Sequence, residues 1–194
     1  MSHSDRYTET TPKAKRTRTS LLTAARYLVG EKGVDGVTVM GVCDHAKVGR
    51  TSFYNYFKDI PELLSTIANE VGLMVKDRFE QLHGNQPRGG ERLRLCLRMI
   101  LQIASEETEF ALLITSLSNR YPEIKNLLRS QINLELSAIR ENSLLEITQE
   151  DCEAQSDFLT VATLALVDEL ASKQLPTQAI EKYVSYLMSI VPLD

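Results

Sequence analysis

The chain of 194 residues carries 22 Lys and Arg against 26 Asp and Glu, a formal charge of −4, with 43% hydrophobic and 25% charged residues. That balance excludes a wholly disordered chain and a surface that coats polyanions throughout, and the length suits one domain or two small ones sharing a core. The charge is also polarised: residues 1–60 hold ten basic and six acidic side chains, net +4, whereas the remainder hold twelve and twenty, net −8. A cationic head on an anionic body directs attention to nucleic acid at the N-terminus.

No run of about 18 apolar residues spells a membrane helix, and residues 1–20 lack the apolar stretch of a secretory signal, so a cytoplasmic protein without membrane association is expected. Cys43, Cys96 and Cys152 are odd in number and far apart, which reads as reduced thiols. His3, His45 and His83 have no ligand partner at metal spacing, and Gly30, Gly33 and Gly36 lack the spacing of a dinucleotide loop, so neither metal nor cofactor is expected.

Taken in chain order, residues 1–15 read as a basic, flexible arm carrying Lys13 and Lys15. A first helix is predicted from Thr17 to Glu31, with Leu21, Leu22, Ala25, Leu28 and Val29 on one stripe and Gly33 as its stop. Thr38 is an N-cap for a second helix that buries Val42, Cys43 and Ala46. Lys47-Val48-Gly49 forms a tight turn into a short third helix, Arg50 to about Phe57, with Phe53 and Phe57 inward. Asp59, Pro61 and Glu62 open a long fourth helix to about His83, and Gly84 to Gly90 is the clearest loop. Further helices are predicted at about 91–105, 107–119, 122–145, 150–172 and 177–190. Val37-Thr38-Val39 is the only strand-like run, so the fold class is all-α with about nine helices.

Two short helices joined by a Gly-containing turn have the layout of a helix-turn-helix. Phe53 and Phe57 anchor the second, leaving hydrogen-bonding side chains to meet base edges and phosphates. The run from Arg18-Thr19-Ser20-Leu21-Leu22-Thr23-Ala24-Ala25 through Gly33-Val34-Asp35-Gly36-Val37-Thr38-Val39 resembles the N-terminal domain of the tetracycline-repressor (TetR) family. So does Cys43-Asp44-His45-Ala46-Lys47-Val48-Gly49-Arg50-Thr51-Ser52-Phe53-Tyr54-Asn55-Tyr56-Phe57-Lys58-Asp59. The resemblance covers about 50 residues. Two details depart from the commonest pattern: Gly41 inside the second helix, at a cost of ~0.5–1 kcal/mol against Ala, and Gly49 in place of a frequent Ser.

The resemblance implies a helix-turn-helix domain over 16–60 and an effector-binding and dimerisation domain over 61–194. It implies that Thr38, Tyr54, Tyr56 and Lys58 serve the phosphate backbone, that Arg50, Thr51, Ser52 and Asn55 reach bases, with Arg50 suited to guanine, and that Lys47 belongs to the same DNA-binding set. Lys13, Lys15, Arg16 and Arg18 would track the backbone or enter the minor groove. A homodimer is implied, formed by the two C-terminal helices through Val161, Ala165, Leu166, Ile180, Tyr183, Val184 and Leu187. It would present two recognition helices to a palindromic operator in double-stranded DNA. A small-molecule effector pocket is expected among the central helices, with Phe79, His83, Met99, Phe110, Ile114, Tyr121 and Phe158 as lining candidates; Arg92, Arg94 and Arg98 read as a solvated face.

The function expected is that of a ligand-responsive transcriptional repressor. The rivals are a DNA-bound interaction protein of the same fold and an enzyme on it. Against the enzyme stands the lack of any constellation of catalytic groups that can be placed in one site.

Overall fold

The computed structural model describes residues 11–144, 146–173 and 175–191, the side chain of Thr177 excepted. These residues form nine α-helices and two single-turn 3-10 segments, with no strand among them, as the all-α reading expects. They fall into two compact units, Met1–Asn69 and Glu70–Asp194, which divide inside the fourth helix rather than at its start.

In the first unit, α1 runs Pro12–Lys32, α2 Val39–Ala46 and α3 Arg50–Tyr56, and α4 begins at Ile60. The start of α1 corrects the expected arm: residues 12–15 are helical, and only residues 1–10 of it lie outside the described residues. Thr11 takes an extended backbone, its hydroxyl accepts from Ala14 N at 3.2 Å, and Pro12 fills the first helical position, where no N–H is needed. Gly33 ends the helix at φ +69°, its N–H donating to Val29 O. Packing against α2 and α3 buries Leu21, Leu22, Ala25 and Val29.

The second unit holds the rest of α4, which ends at His83, then α5 Gly90–Glu106, α6 Thr108–Ser118, α7 Pro122–Asn142, α8 Gln149–Ala171 and α9 Ile180–Met188. Its N-caps are legible locally. Thr148 and Asp151 form a capping box, Asp151 N donating to Thr148 Oγ1 at 3.1 Å and Thr148 N to Asp151 Oδ2 at 2.9 Å. The Thr148 hydroxyl, donating to Asp151 Oδ2 at 2.6 Å, and then the Thr148 N–H hold the Asp151 carboxyl below its ordinary value. Within the unit α8 packs on α5, α6 and α7, and its Leu159, Val167 and Leu170 join Leu93, Leu97, Leu101, Ile132 and Leu136 in the core.

Candidate nucleic-acid interface and interior cavity

The helix-turn-helix is built from local chemistry. Thr38 is extended, and its Oγ1 accepts from Gly41 N at 3.1 Å, so the cap uses the hydroxyl's lone pair and leaves its proton to donate. A Cβ on residue 41 would sit 3.2 Å from that same oxygen, which accounts for a glycine inside α2. At the other end Lys47 is left-handed (φ 56°, ψ 43°), and its N–H returns to Asp44 O while Val48 N reaches Cys43 O at 3.0 Å. Gly49 then takes the N-cap position of α3 with no side chain to satisfy a donor. Tyr27 stacks on His45 with ring centroids 4.4 Å apart, holding α2 against α1.

Seven residues are too few for a helix to hold itself, so α3 depends on its anchors. Phe53 is fully buried, Phe57 nearly so, and their centroids lie 5.9 Å apart. Tyr54 meets the edge of Phe53 at 5.4 Å while its own ring remains exposed, so the anchor also positions an outward phenol. Arg50, Thr51 and Asn55 are exposed on the same short helix, with Ser52 and Tyr56 half-buried beside them; Thr38, Lys47 and Lys58 are exposed around it. The nine residues read from the sequence therefore fall in one stretch from the N-cap of α2 to just past the end of α3. Arg18 is not part of an arm: it lies within α1 with its guanidinium 5.7 Å from the Phe57 ring centroid.

The second unit contains a cavity of about 50 Å³, partly open to solvent, lined by α4, α5, α6 and α7 and by Leu164 of α8. Of the seven residues read as lining an effector pocket, Phe79, Met99 and Ile114 are in its wall. The other four are not. His83 lies against Phe79, centroids 5.3 Å apart, Phe110 packs on the core, and Tyr121 is buried elsewhere. Phe158 is 57% exposed on the outer side of α8 and is corrected from pocket to surface. Gly72, Ile100, Leu127 and Gln131 are among the wall residues that the sequence missed, and no local signal marks them, because a cavity wall is a product of tertiary packing.

Cys96 also faces this cavity. Burial, and secondarily the negative charge of Glu135, push its thiol from 9.0 up to about 12. The thiolate is the reactive form, so Cys96 is expected to resist iodoacetamide at pH 8 in the folded protein and to react once urea unfolds it. The same shift carries a sign for stability. The folded value lies above the unfolded one, so its contribution is complete below pH 9 and is lost as pH rises from about 9 toward 12. The urea midpoint should fall more over that window in the native chain than in Cys96→Ala.

The three arginines read as a solvated face are a second correction. Arg92 is 3% exposed. Its Nε donates to Glu135 Oε1 at 3.1 Å, one Nη to Glu80 at 2.8 Å, and the other to the carbonyls of His83, Gly84 and Gln86. One guanidinium thus closes the C-terminal end of α4, and it lies 5.1 Å from the Phe79 ring centroid. Glu135 is fully buried and also accepts from Arg88, Gly89 N and Gln131 at 2.8 to 3.0 Å. Arg98 clasps Glu181 through two bonds of 2.6 and 2.8 Å, joining α5 to α9. Of the three, only Arg94, half-buried, has its partner Glu91 in its own helix.

The dimer residues are divided by the structure as well. Ile180, Val184 and Leu187 are buried in the chain's own core, and Leu166 and Tyr183 pack partly against it. Val161 and Ala165 are exposed, and with Phe158 they form an outward apolar row on α8; Tyr186 and Ile190 are exposed further along the chain. No helix among the described residues is long and apolar enough to cross a membrane.

Comparison with known proteins agrees with this architecture. Residues 21–67, which span the helix-turn-helix, match the family model described as bacterial regulatory proteins, tetR family. The fold is shared with a transcriptional regulator FadR from Bacillus subtilis, solved in complex with stearoyl-CoA: 16% identity, TM-score 0.71, covering 90% of this chain and 99% of that one. SmeT, the repressor of the Stenotrophomonas maltophilia multidrug efflux pump SmeDEF, is 18% identical at a TM-score of 0.70, covering 91% and 90%. A TetR-like transcriptional regulator from Rhodococcus sp. RHA1 is 17% identical at 0.67, covering 93% and 96%. The N-terminal match thus identifies residues 21–67 as a helix-turn-helix domain of the tetR family of bacterial regulatory proteins.

Proposed function

We propose that the chain is a ligand-responsive repressor that binds a palindromic operator as a homodimer in the bacterial cytosol. The observation that carries the DNA reading is the division of α3, whose Phe53 and the adjoining Phe57 are buried while Arg50, Thr51, Tyr54 and Asn55 are exposed. Arg50 reads guanine through O6 and N7, with Thr51, Ser52 and Asn55 as its neighbours at the bases. Thr38, Lys47, Tyr54, Tyr56 and Lys58 hold phosphates and set register. The second copy covers the outward row Phe158, Val161 and Ala165, which is apolar and exposed in the single chain.

The effector enters the cavity of the second unit. Its wall includes Gly72, Val75, Lys76 and Phe79, all on α4, and α4 is one continuous helix whose first turns belong to the DNA-binding unit. An occupant that favours one position of α4 thereby changes operator affinity, to the extent that it binds the two conformations differently. That the FadR regulator sharing this fold was solved in complex with stearoyl-CoA supports a small-molecule effector for this chain.

Two substitutions test the DNA reading. Arg50→Ala should cost about 1–3 kcal/mol on a selected operator and relax base preference at one position. Lys58→Ala should weaken all duplexes alike and lower the slope of log K against log salt by about one. Sequence-blind losses from both variants would remove Arg50 from base readout.

A further inference from the structure

On the reading that the cavity is the effector site, we propose that its ligand is a small, uncharged molecule, apolar over most of its surface, that donates one hydrogen bond to Gln131 Oε1. Apart from the Cys96 thiol, the wall has two polar side chains, Lys76 and Gln131. Lys76 is exposed, so its stem lines the space while the ammonium stays in water. Gln131 is held differently. Its Nε2 donates to Glu135 Oε1 at 3.0 Å.

That bond sets which way the amide points. Glu135 is fully buried and accepts from two arginines, a backbone N–H and Gln131, the arrangement of an ionised carboxylate, which offers no proton to an amide oxygen. The nitrogen of Gln131 is therefore the atom turned to Glu135. Among the described residues nothing donates to Oε1, which remains to accept from a ligand hydroxyl or N–H. An anion finds an acceptor here with a carboxylate behind it. A cation finds no free counter-charge, because Glu135 already serves Arg88 and Arg92.

Size narrows the class further. A cavity of about 150 Å³ takes benzene, and this one is about 50 Å³. A single ring fits only when flexible wall side chains such as Met99 and Lys76 swing aside. At Gly72 the walls offer little more, since a Cβ there would already touch Leu127 at 3.5 Å.

The test titrates the full chain with phenol, toluene and benzoate, which share a ring and differ in donor and charge. Phenol should bind about tenfold more tightly than toluene, with benzoate undetectable at concentrations that saturate phenol. Gln131→Leu should bring phenol and toluene to within about threefold while toluene binds as before, and Gln131→Met serves as the second variant if the first misfolds. Equal binding of phenol and toluene, binding of benzoate, a preference that survives both Gln131 variants, or no binding of any probe would each overturn the proposal. Operator affinity measured in the same titration separates the two readings. Selective phenol binding with unchanged operator affinity would sink the ligand-responsive mechanism and leave the ligand class standing. A fall in operator affinity indifferent to Gln131 would do the reverse.

Discussion

Glu135→Ala is expected to cost about 3–5 kcal/mol, the largest loss from any single side chain in the second unit. The carboxylate is fully buried and answers four donors, two of them guanidinium groups. Its removal strands Arg92, 3% exposed, with only Glu80 as an ionic partner. The cost comes from the unpaired charge that is left, more than from the worth of the pair, so Glu135→Gln should cost less. Replacing both partners, as Arg92→Met with Glu135→Leu, should recover part of the loss. Recovery is incomplete because Arg92 also satisfies three carbonyls at the end of α4. Urea unfolding measures all three variants, and a loss below about 1 kcal/mol in Glu135→Ala would mean that water reaches this carboxylate.

Phe53→Ala is the second large effect, about 3–5 kcal/mol from the first unit. A buried phenylalanine is lost, with the cavity it leaves, from a seven-residue helix that depends on its two aromatic anchors. The functional signature separates this from a contact residue. Phe53 never meets DNA, yet Phe53→Ala should abolish binding to selected and unselected duplexes together, because the helix and the seat of Tyr54 are lost at once. Retention of operator affinity within twofold would show that α3 is held by something other than its aromatic anchor.

The contrast between the two units explains what could be read in advance. The helix-turn-helix is specified over short distances: Gly33 as a stop, Thr38 as a cap, Lys47 to Gly49 as the turn, and two phenylalanines four residues apart. Each is a local signal with a local cause, and each stands where it was expected. The start of α1 was equally local, in Thr11-Pro12, but the basic run after it suggested an arm and hid the cap.

The second unit is specified at long range. Arg92 and Glu135 meet across 43 residues, so no window reveals the pair. A hint existed in α7, where Glu135 falls three residues after Ile132 on the buried side of the helix, a position that an unpartnered carboxylate would not occupy. α8 defeats pattern reading for the opposite reason. Apolar residues lie on its outward side, Phe158 and Val161, as well as its inward side, Leu159 and Val167, so hydrophobicity alone does not say which face meets the core. In α9 the apolar residues Ile180, Val184 and Leu187 look like a docking stripe, and they are consumed by the chain's own core.

Selection of bound duplexes from a random-sequence pool by the full chain tests sequence-specific binding as a dimer most directly. Enrichment of a two-fold symmetric sequence is expected, with half-sites centred one helical turn apart, about 10–10.5 base pairs, or a multiple of it. Arg50→Ala should lose the preference at one position of each half-site. Recovery of unenriched sequence, or of a single asymmetric half-site, would contradict it.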